Sequence, residues 1–88
     1  MQMNLYKTGN LARSTAGHDR NQLFVIVKEE GEYVYVADGR QRTLEKPKRK
    51  NKKHVQPISH AGDLVPEIKR NEDIKRAIKL YSADAAQE

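Results

Sequence analysis

The chain has 88 residues, of which 36% are hydrophobic and 6% aromatic, with no tryptophan, no cysteine and one phenylalanine. A chain this short buries one small core, which argues against a second domain and against a deep apolar pocket for small-molecule catalysis. The lack of cysteine excludes disulfides and thiolate metal sites, and the longest apolar run, residues 23–27, is far too short to span a membrane, so we expect a soluble cytoplasmic protein.

Positive charge is concentrated in one part of the chain. Residues 40–54 contain eight of the 17 lysines and arginines and a single acid, Glu45, so this stretch alone carries more than the whole net charge of +5. Within it, we call residues 46–54 the basic segment. A localised patch of this kind attracts a polyanion.

The chain divides into an N-terminal segment, residues 1–10, a β-rich body, residues 11–58, and a polar C-terminal arm, residues 59–88. In the body, β-branched and aromatic residues at 23–27 and again at 33–36 predict two strands. Three glutamates and Gly31 lie between them and suit a hairpin loop.

The Asp38-Gly39 pair is the strongest short turn signal, because both residues tolerate the left-handed conformation that a tight hairpin needs. It predicts a third strand near residues 42–44, and a short strand at 54–57 would complete the sheet. Pro47 argues against a continuous strand or helix, so we expect the cations of the basic segment on a loop. Several short strands in so small a chain favour a closed barrel. The expected core consists of Leu11, Leu23, Val25, Val27, Val34, Val36 and Leu44.

The C-terminal arm has a helical pattern over about residues 71–82. Asn71 can serve as the N-cap, and the two acids that follow it complement a helix N-terminus. The apolar residues Ile74, Ala77, Ile78 and Tyr81 fall at i, i+3, i+4 and i+7. Because a helix of about eleven residues is marginal alone in water, its apolar stripe is expected to dock on the barrel or on a partner.

We interpret the basic segment as a nucleic-acid contact, because lysine and arginine neutralise phosphates and release condensed counterions. Its candidate contacts are Lys46, Lys48, Arg49, Lys50, Lys52, Lys53 and His54. Such contacts carry no base code. A solvated basic loop or a localisation signal is the alternative, and the position of the segment between two β segments favours the nucleic-acid contact.

Other side chains give weaker indications. Tyr33, Tyr35 and Phe24 are candidates for a platform on which unpaired bases stack, although an outward tyrosine more often covers neighbouring apolar surface. Alternation places both tyrosines on the face opposite the valines at 34 and 36. The three histidines lack a metal-ligand spacing, and the glutamates at 29, 30 and 32 lack a paired base or a pocket. We therefore expect no metal, no cofactor and no enzymatic activity.

A polar cluster containing Gly17 precedes the first long apolar strand. Turn chemistry alone explains such a cluster whatever the function. Cations nonetheless lie beside it and beside the basic segment, and they complete the candidate site: Arg13, His18, Arg20, Arg40 and Arg42.

Several stretches together resemble the KOW motif: residues 11–14, 16–20, 23–27 and 33–39. The continuation through residues 42–50 to His54 is similar to the small bacterial KOW domain-containing RNA-binding proteins, which are themselves similar to KOW-type proteins of the large ribosomal subunit. The resemblance covers about residues 10–60, with weaker similarity through the C-terminal helix. Gly17 matches the characteristic glycine of the motif, and Asn21 stands where these proteins often have a second glycine.

The resemblance implies an SH3-like barrel whose loop around Gly17 approaches RNA or a protein partner. We therefore expect a binding module for structured RNA, ribosomal in origin, that acts in translation. The alternative is a protein-interaction module that uses the barrel and the C-terminal helix to bind ribosomal or transcription proteins, as KOW domains of transcription elongation factors imply.

Overall fold

The computed structural model describes residues 6–58 and 68–86. Their elements are β1 Leu11–Ser14, β2 Leu23–Glu30, β3 Tyr33–Ala37, β4 Lys48–Asn51, a single 3₁₀ turn Lys52–His54, β5 Val55–Ile58 and α1 Asn71–Ala86. The protein is therefore mainly β with one C-terminal helix, as predicted. The beginning of the N-terminal segment, residues 1–5, and of the C-terminal arm, residues 59–67, lie outside the described residues.

The five strands form one antiparallel sheet in the order β4-β3-β2-β1-β5. Its two edge strands, β4 and β5, are joined by the three residues of the 3₁₀ turn. Because so short a connection brings the edges close together, the sheet has to curl on itself. The result is consistent with a small barrel-like fold.

Hydrophobic packing occurs on both faces of the sheet, which explains why residues 23–27 are apolar without alternation. One cluster of buried residues contains Ala12, Phe24, Ile26, Val34, Val36 and Val55. The other contains Leu11, Val25 and Ala37 of the sheet with Ile74 and Ala77 of α1. The expected core is right for four of its seven members, whereas Leu23, Val27 and Leu44 are half-buried at the periphery.

The predicted third strand at residues 42–44 is wrong, because Asp38 organises an irregular loop there instead of a tight hairpin. One carboxylate oxygen of Asp38 accepts hydrogen bonds from the backbone N–H groups of Arg40 and Arg42 at 2.9 and 3.0 Å. The other accepts a bond from the Gln22 side chain at 2.7 Å. Two of these bonds engage the N–H groups of Arg40 and Arg42 locally, so neither group is free for a ladder with β3.

The strand that does pair with β3 is β4, which lies inside the basic segment. Residues 48–51 pair in register with β3, from Val36 opposite Lys48 to Tyr33 opposite Asn51. The prediction that the basic segment is a loop is therefore wrong for these four residues. Pro47 stops the irregular loop and directly precedes β4, a position that a strand tolerates. The predicted strand at 54–57 is confirmed as β5, shifted by one residue.

Helix α1 docks on the sheet through its apolar stripe. Ile74 is fully buried and Ala77 nearly so, and Ile78 and Tyr81 pack at the margin. The apolar stripe thus packs against the sheet of the protein itself, and Ile74 cannot anchor a partner while α1 stays docked. Among the described residues, no helix has the length and apolarity that crossing a membrane requires.

The N-terminus of α1 differs from the prediction, because Asn71 is not its cap. Asp73 accepts hydrogen bonds from the backbone N–H groups of Lys69 and Arg70, both at 3.0 Å, and the Arg70 carbonyl accepts the first helical bonds. The Asn71 side chain instead accepts a bond from the Leu44 N–H at 2.9 Å. It thereby ties the irregular loop to the helix.

Gly39 lies where this loop meets α1. Its φ of +81° is in the left-handed region, and a Cβ added there would approach the Asn71 carbonyl oxygen to 2.5 Å. Only glycine therefore permits the loop and the helix to approach this closely.

Candidate nucleic-acid interface

The cations of β4 are sorted by strand alternation. Lys48 and Lys50 lie opposite Val36 and Val34, whose side chains belong to a buried cluster, so both lysines share the inner face of the sheet. Arg49 lies opposite Tyr35 and faces outward, where it is exposed. Neighbouring cations of one run therefore have different surroundings.

Asp19, in the loop between β1 and β2, holds both inward lysines. Its two carboxylate oxygens lie 2.7 Å from the Lys48 ammonium and 3.0 Å from the Lys50 ammonium. The Ser14 hydroxyl donates to the same carboxylate at 2.7 Å, and Lys50 also donates to the Ala16 carbonyl at 3.2 Å. Only 7% of the Lys50 side chain is exposed, so its charge is neutralised inside the protein and does not reach a ligand.

Burial of the Asp19 carboxyl by itself would raise its pKa. Hydrogen bonds from Lys48, Ser14 and Lys50 outweigh that effect and hold the pKa of Asp19 well below its ordinary value of 3.8. The carboxylate is therefore ionised throughout the physiological range. We call residues 15–22 the anchored loop, because this ion-pair cluster ties them to β4.

The anchored loop contains two residues in the left-handed region. Gly17 and Asn21 both have positive φ, +87° and +73°, and Asn21 is the only non-glycine residue with a positive φ in the described part of the chain. The Asn21 N–H donates to the Ser14 carbonyl at 2.8 Å, and the Thr15 N–H donates to the His54 carbonyl at 2.9 Å. The loop therefore lies against the 3₁₀ turn of the basic segment, and the two predicted cationic regions meet.

The tyrosine rings are covered by cations of the protein itself. The Arg49 guanidinium lies 4.7 Å from the centre of the Tyr33 ring, and the Lys28 ammonium lies 5.4 Å from that of Tyr35. Phe24 is buried with 1% of its surface exposed. Phe24 therefore cannot take part in the candidate stacking platform, whereas Tyr33 remains 38% exposed and carries Arg49 over its ring.

Lys52 is partly neutralised as well. Its ammonium forms an ion pair with Glu29 of β2 and lies 5.0 Å from the centre of the Tyr6 ring. Glu29 thus lies beside the basic segment and reduces its net positive charge.

The structure divides the predicted site residues into four groups. Lys48, Lys50 and Lys52 are paired with acids of the protein. Lys46, Arg49, Lys53 and His54 are exposed along the basic segment, and Gly17, His18 and Arg20 are exposed on the anchored loop. His18 and Arg42 line a small cavity of about 190 Å³ together with Lys48. Arg13 and Arg40 line a separate, larger groove against α1.

Sequence analysis missed two parts of this arrangement. Asp19 organises the site, yet its lysine partners lie 29 and more residues away and no local pattern indicates them. The groove draws three further cations from α1: Lys75, Arg76 and Lys79. Their spacing on one side of the helix was a usable signal, since residues three and four apart share a face. In the described part of the chain, no group of three His, Asp or Glu residues is arranged to hold a metal ion.

Comparison of the chain with protein-family models and with curated proteins gave no match.

Proposed function

We propose that this protein binds structured RNA through the exposed cations of the basic segment and the anchored loop. The observation that supports this proposal most directly is the ion-pair cluster of Asp19 with Lys48 and Lys50, which fixes two cationic segments side by side. A preordered charged surface loses little side-chain and loop entropy when a polyanion binds. The sequence resembles the small KOW domain-containing RNA-binding proteins, and this resemblance supports RNA as the polyanion.

Phosphate contacts account for most of the affinity in this proposal. Lys46, Arg49 and Lys53 are exposed and project from one short stretch of chain. The rings of Tyr33 and Tyr35 each have a cation of the protein over one face, which is therefore not open to a base. Binding should therefore depend on the shape and backbone of the RNA more than on its sequence, and it should weaken steeply with salt.

A salt titration tests this proposal. A fluorescently labelled RNA hairpin is titrated with the protein at several salt concentrations, and log K is plotted against log salt. The triple variant Lys46→Gln/Arg49→Gln/Lys53→Gln should lower the slope by about three, because each phosphate contact contributes about 0.9 for a duplex. Lys7→Gln removes an exposed lysine outside the basic segment and is the matched control. An unchanged slope in the triple variant would contradict the proposal.

We further propose that the RNA is ribosomal and that the protein acts in translation. Under this proposal, the protein should co-sediment with the large ribosomal subunit in a low-salt sucrose gradient of the source cells. High salt or the triple variant should release it to the top fractions. Sedimentation at the top in both salts, with hairpin binding intact, would favour another structured RNA.

A further inference from the structure

A groove with a volume of about 960 Å³ lies between α1 and the sheet. One wall is formed by α1 between Lys75 and Ser82, and the other consists of the end of β1, the start of β2 and the irregular loop after Asp38. A groove of this size can hold a drug-sized ligand or a few linked units of a polymer. None of the exposed cations of the basic segment or the anchored loop lines this groove.

The lining of the groove combines positive charge with an apolar floor. Five cations line it, Arg13, Arg40, Lys75, Arg76 and Lys79, against the single carboxylate of Asp38, whose oxygens are engaged by Gln22 and by backbone N–H groups. Leu23, Ile78 and Tyr81 lie between them and are half-buried. Cations that follow a phosphate backbone beside an aromatic ring and aliphatic side chains are the combination that binds unpaired nucleotides.

The basic segment differs in this respect, since Arg49 lies over the Tyr33 ring and the half-buried Lys52 over the Tyr6 ring, so one face of each ring already contacts a cation of the protein. Bases in a duplex are stacked on each other and cannot reach a recessed floor, whereas unpaired bases can be splayed onto it. The groove therefore suits a single strand, and the basic segment suits the outside of a duplex.

The two cationic regions are neighbours. The hydrogen bond between Gln22 and Asp38 forms a divider, because both residues line the groove on one side and the small cavity of His18 and Arg42 on the other. Positive charge thus continues from the anchored loop across this divider to α1. A ligand that crosses it stays in contact with cations.

We propose that the groove binds a short unpaired segment that continues from the end of the RNA duplex bound by the basic segment. Phosphates of this segment contact Arg76 and Lys79, and a base stacks on Tyr81. The inference rests on the proposed function and specifies the form of RNA that this protein prefers, a junction between duplex and single strand.

The test compares two RNA hairpins with the same stem and loop, one blunt and one with a three-nucleotide single-stranded overhang, by fluorescence anisotropy at fixed salt. Wild-type protein should bind the overhang hairpin about tenfold more tightly, as expected for stacking of one base. Arg76→Gln/Lys79→Gln, which changes two exposed side chains, and Tyr81→Leu, which keeps apolar packing but removes the ring, should each lose most of this gain. Both should bind the blunt hairpin within about twofold of wild type, as should Lys7→Gln for both hairpins.

Each outcome has one meaning. A gain that is absent in wild type, or that survives in both groove variants, overturns the inference while blunt-hairpin binding still supports the proposed function. Failure of both hairpins to bind overturns the proposed function and the inference together. Binding of a heptaglutamate peptide that depends on Arg76 and Lys79, without any overhang gain, assigns the groove to an acidic protein segment and also overturns the inference.

Discussion

The anchored loop and α1 are attached to the same sheet by different forces. Asp19 fixes the loop to β4 through two ion pairs and to β1 through a hydrogen bond from the Ser14 hydroxyl. Helix α1 is attached by the burial of Ile74 and Ala77 and by the close approach of Gly39 to its first turn. An ion pair is lost when pH neutralises one of its groups or when a substitution removes one of them. Apolar packing is lost when a substitution changes the shape of the contact. The two cationic surfaces should therefore be disrupted by different changes.

The largest effect is expected from Asp19→Ala, which breaks the charged attachment. It leaves the buried Lys50 ammonium without a counterion and should lower the free energy of unfolding by about 3 kcal/mol, measured by urea denaturation. Glu30→Ala removes an acid from an ion pair with Lys28 that is about 60% exposed, and should cost about 0.5 kcal/mol or less. The double variant Asp19→Ala/Lys50→Met should recover part of the loss. Equal effects of Asp19→Ala and Glu30→Ala would contradict a structural role for the cluster.

Gly39→Ala breaks the apolar attachment instead. The added Cβ would collide with the Asn71 carbonyl and also strain a positive φ, so we expect a loss of about 2 kcal/mol and faster hydrogen exchange in α1. Gly31→Ala is the control, since its φ is also positive but nothing lies within 4 Å of the new Cβ. It should cost about 1 kcal/mol, without a change in exchange at α1. If both variants leave α1 equally protected, the close contact is unimportant.

Acid should weaken the charged attachment selectively. Because the folded-state pKa of Asp19 is depressed, its contribution is fully present above the unfolded value near 3.8 and is lost as pH falls below that value. The stability of the wild type should fall by up to about 1 kcal/mol more per pH unit than that of Asp19→Asn between about pH 4 and about pH 2. Parallel pH profiles of the two proteins would show that Asp19 is not the responsible group.

The smallest effect on stability is expected from Arg49→Gln, which belongs to neither attachment. Arg49 is exposed, so the free energy of unfolding should change by about 0.5 kcal/mol or less, while the salt slope of RNA binding falls by about one. Lys50→Gln removes the same charge from the next position. It should lower stability more and leave the slope unchanged, because Asp19 already neutralises this lysine. A reversed order of the two variants would contradict the assignment of inner and outer faces in β4.

The elements with strong local signals were predictable from the sequence. The β-branched runs of β2 and β3 and the periodicity of α1 have local causes, and the structure confirms these elements. Strand β4 was not predictable in this way, because lysine, arginine and asparagine have little intrinsic preference for strands. It exists because β3 offers an edge and because Asp19, distant in sequence, neutralises the lysines that turn inward.

The same reason limits what sequence reveals about the site. A run of cations has the same appearance whether its members face a ligand or a carboxylate of the protein. Only the pairing register separates Arg49 from its neighbours at 48 and 50. The groove against α1 likewise requires the docking of the helix, which brings Lys79 to the same cavity as Arg13.

The pairing of β1 with β5 also constrains the order in which a nascent chain can fold. Leu11 pairs with Ile58 and Ser14 with Val55, so one edge of β1 stays open until residues 55–58 have been synthesised. Before that point, β1 can join only the hairpin of β2 and β3, which forms from neighbouring residues. Pairing of β5 with β1 joins residues distant in sequence, so it has a larger loop-closure entropy cost than formation of the β2–β3 hairpin. We expect it to be the rate-limiting step of folding.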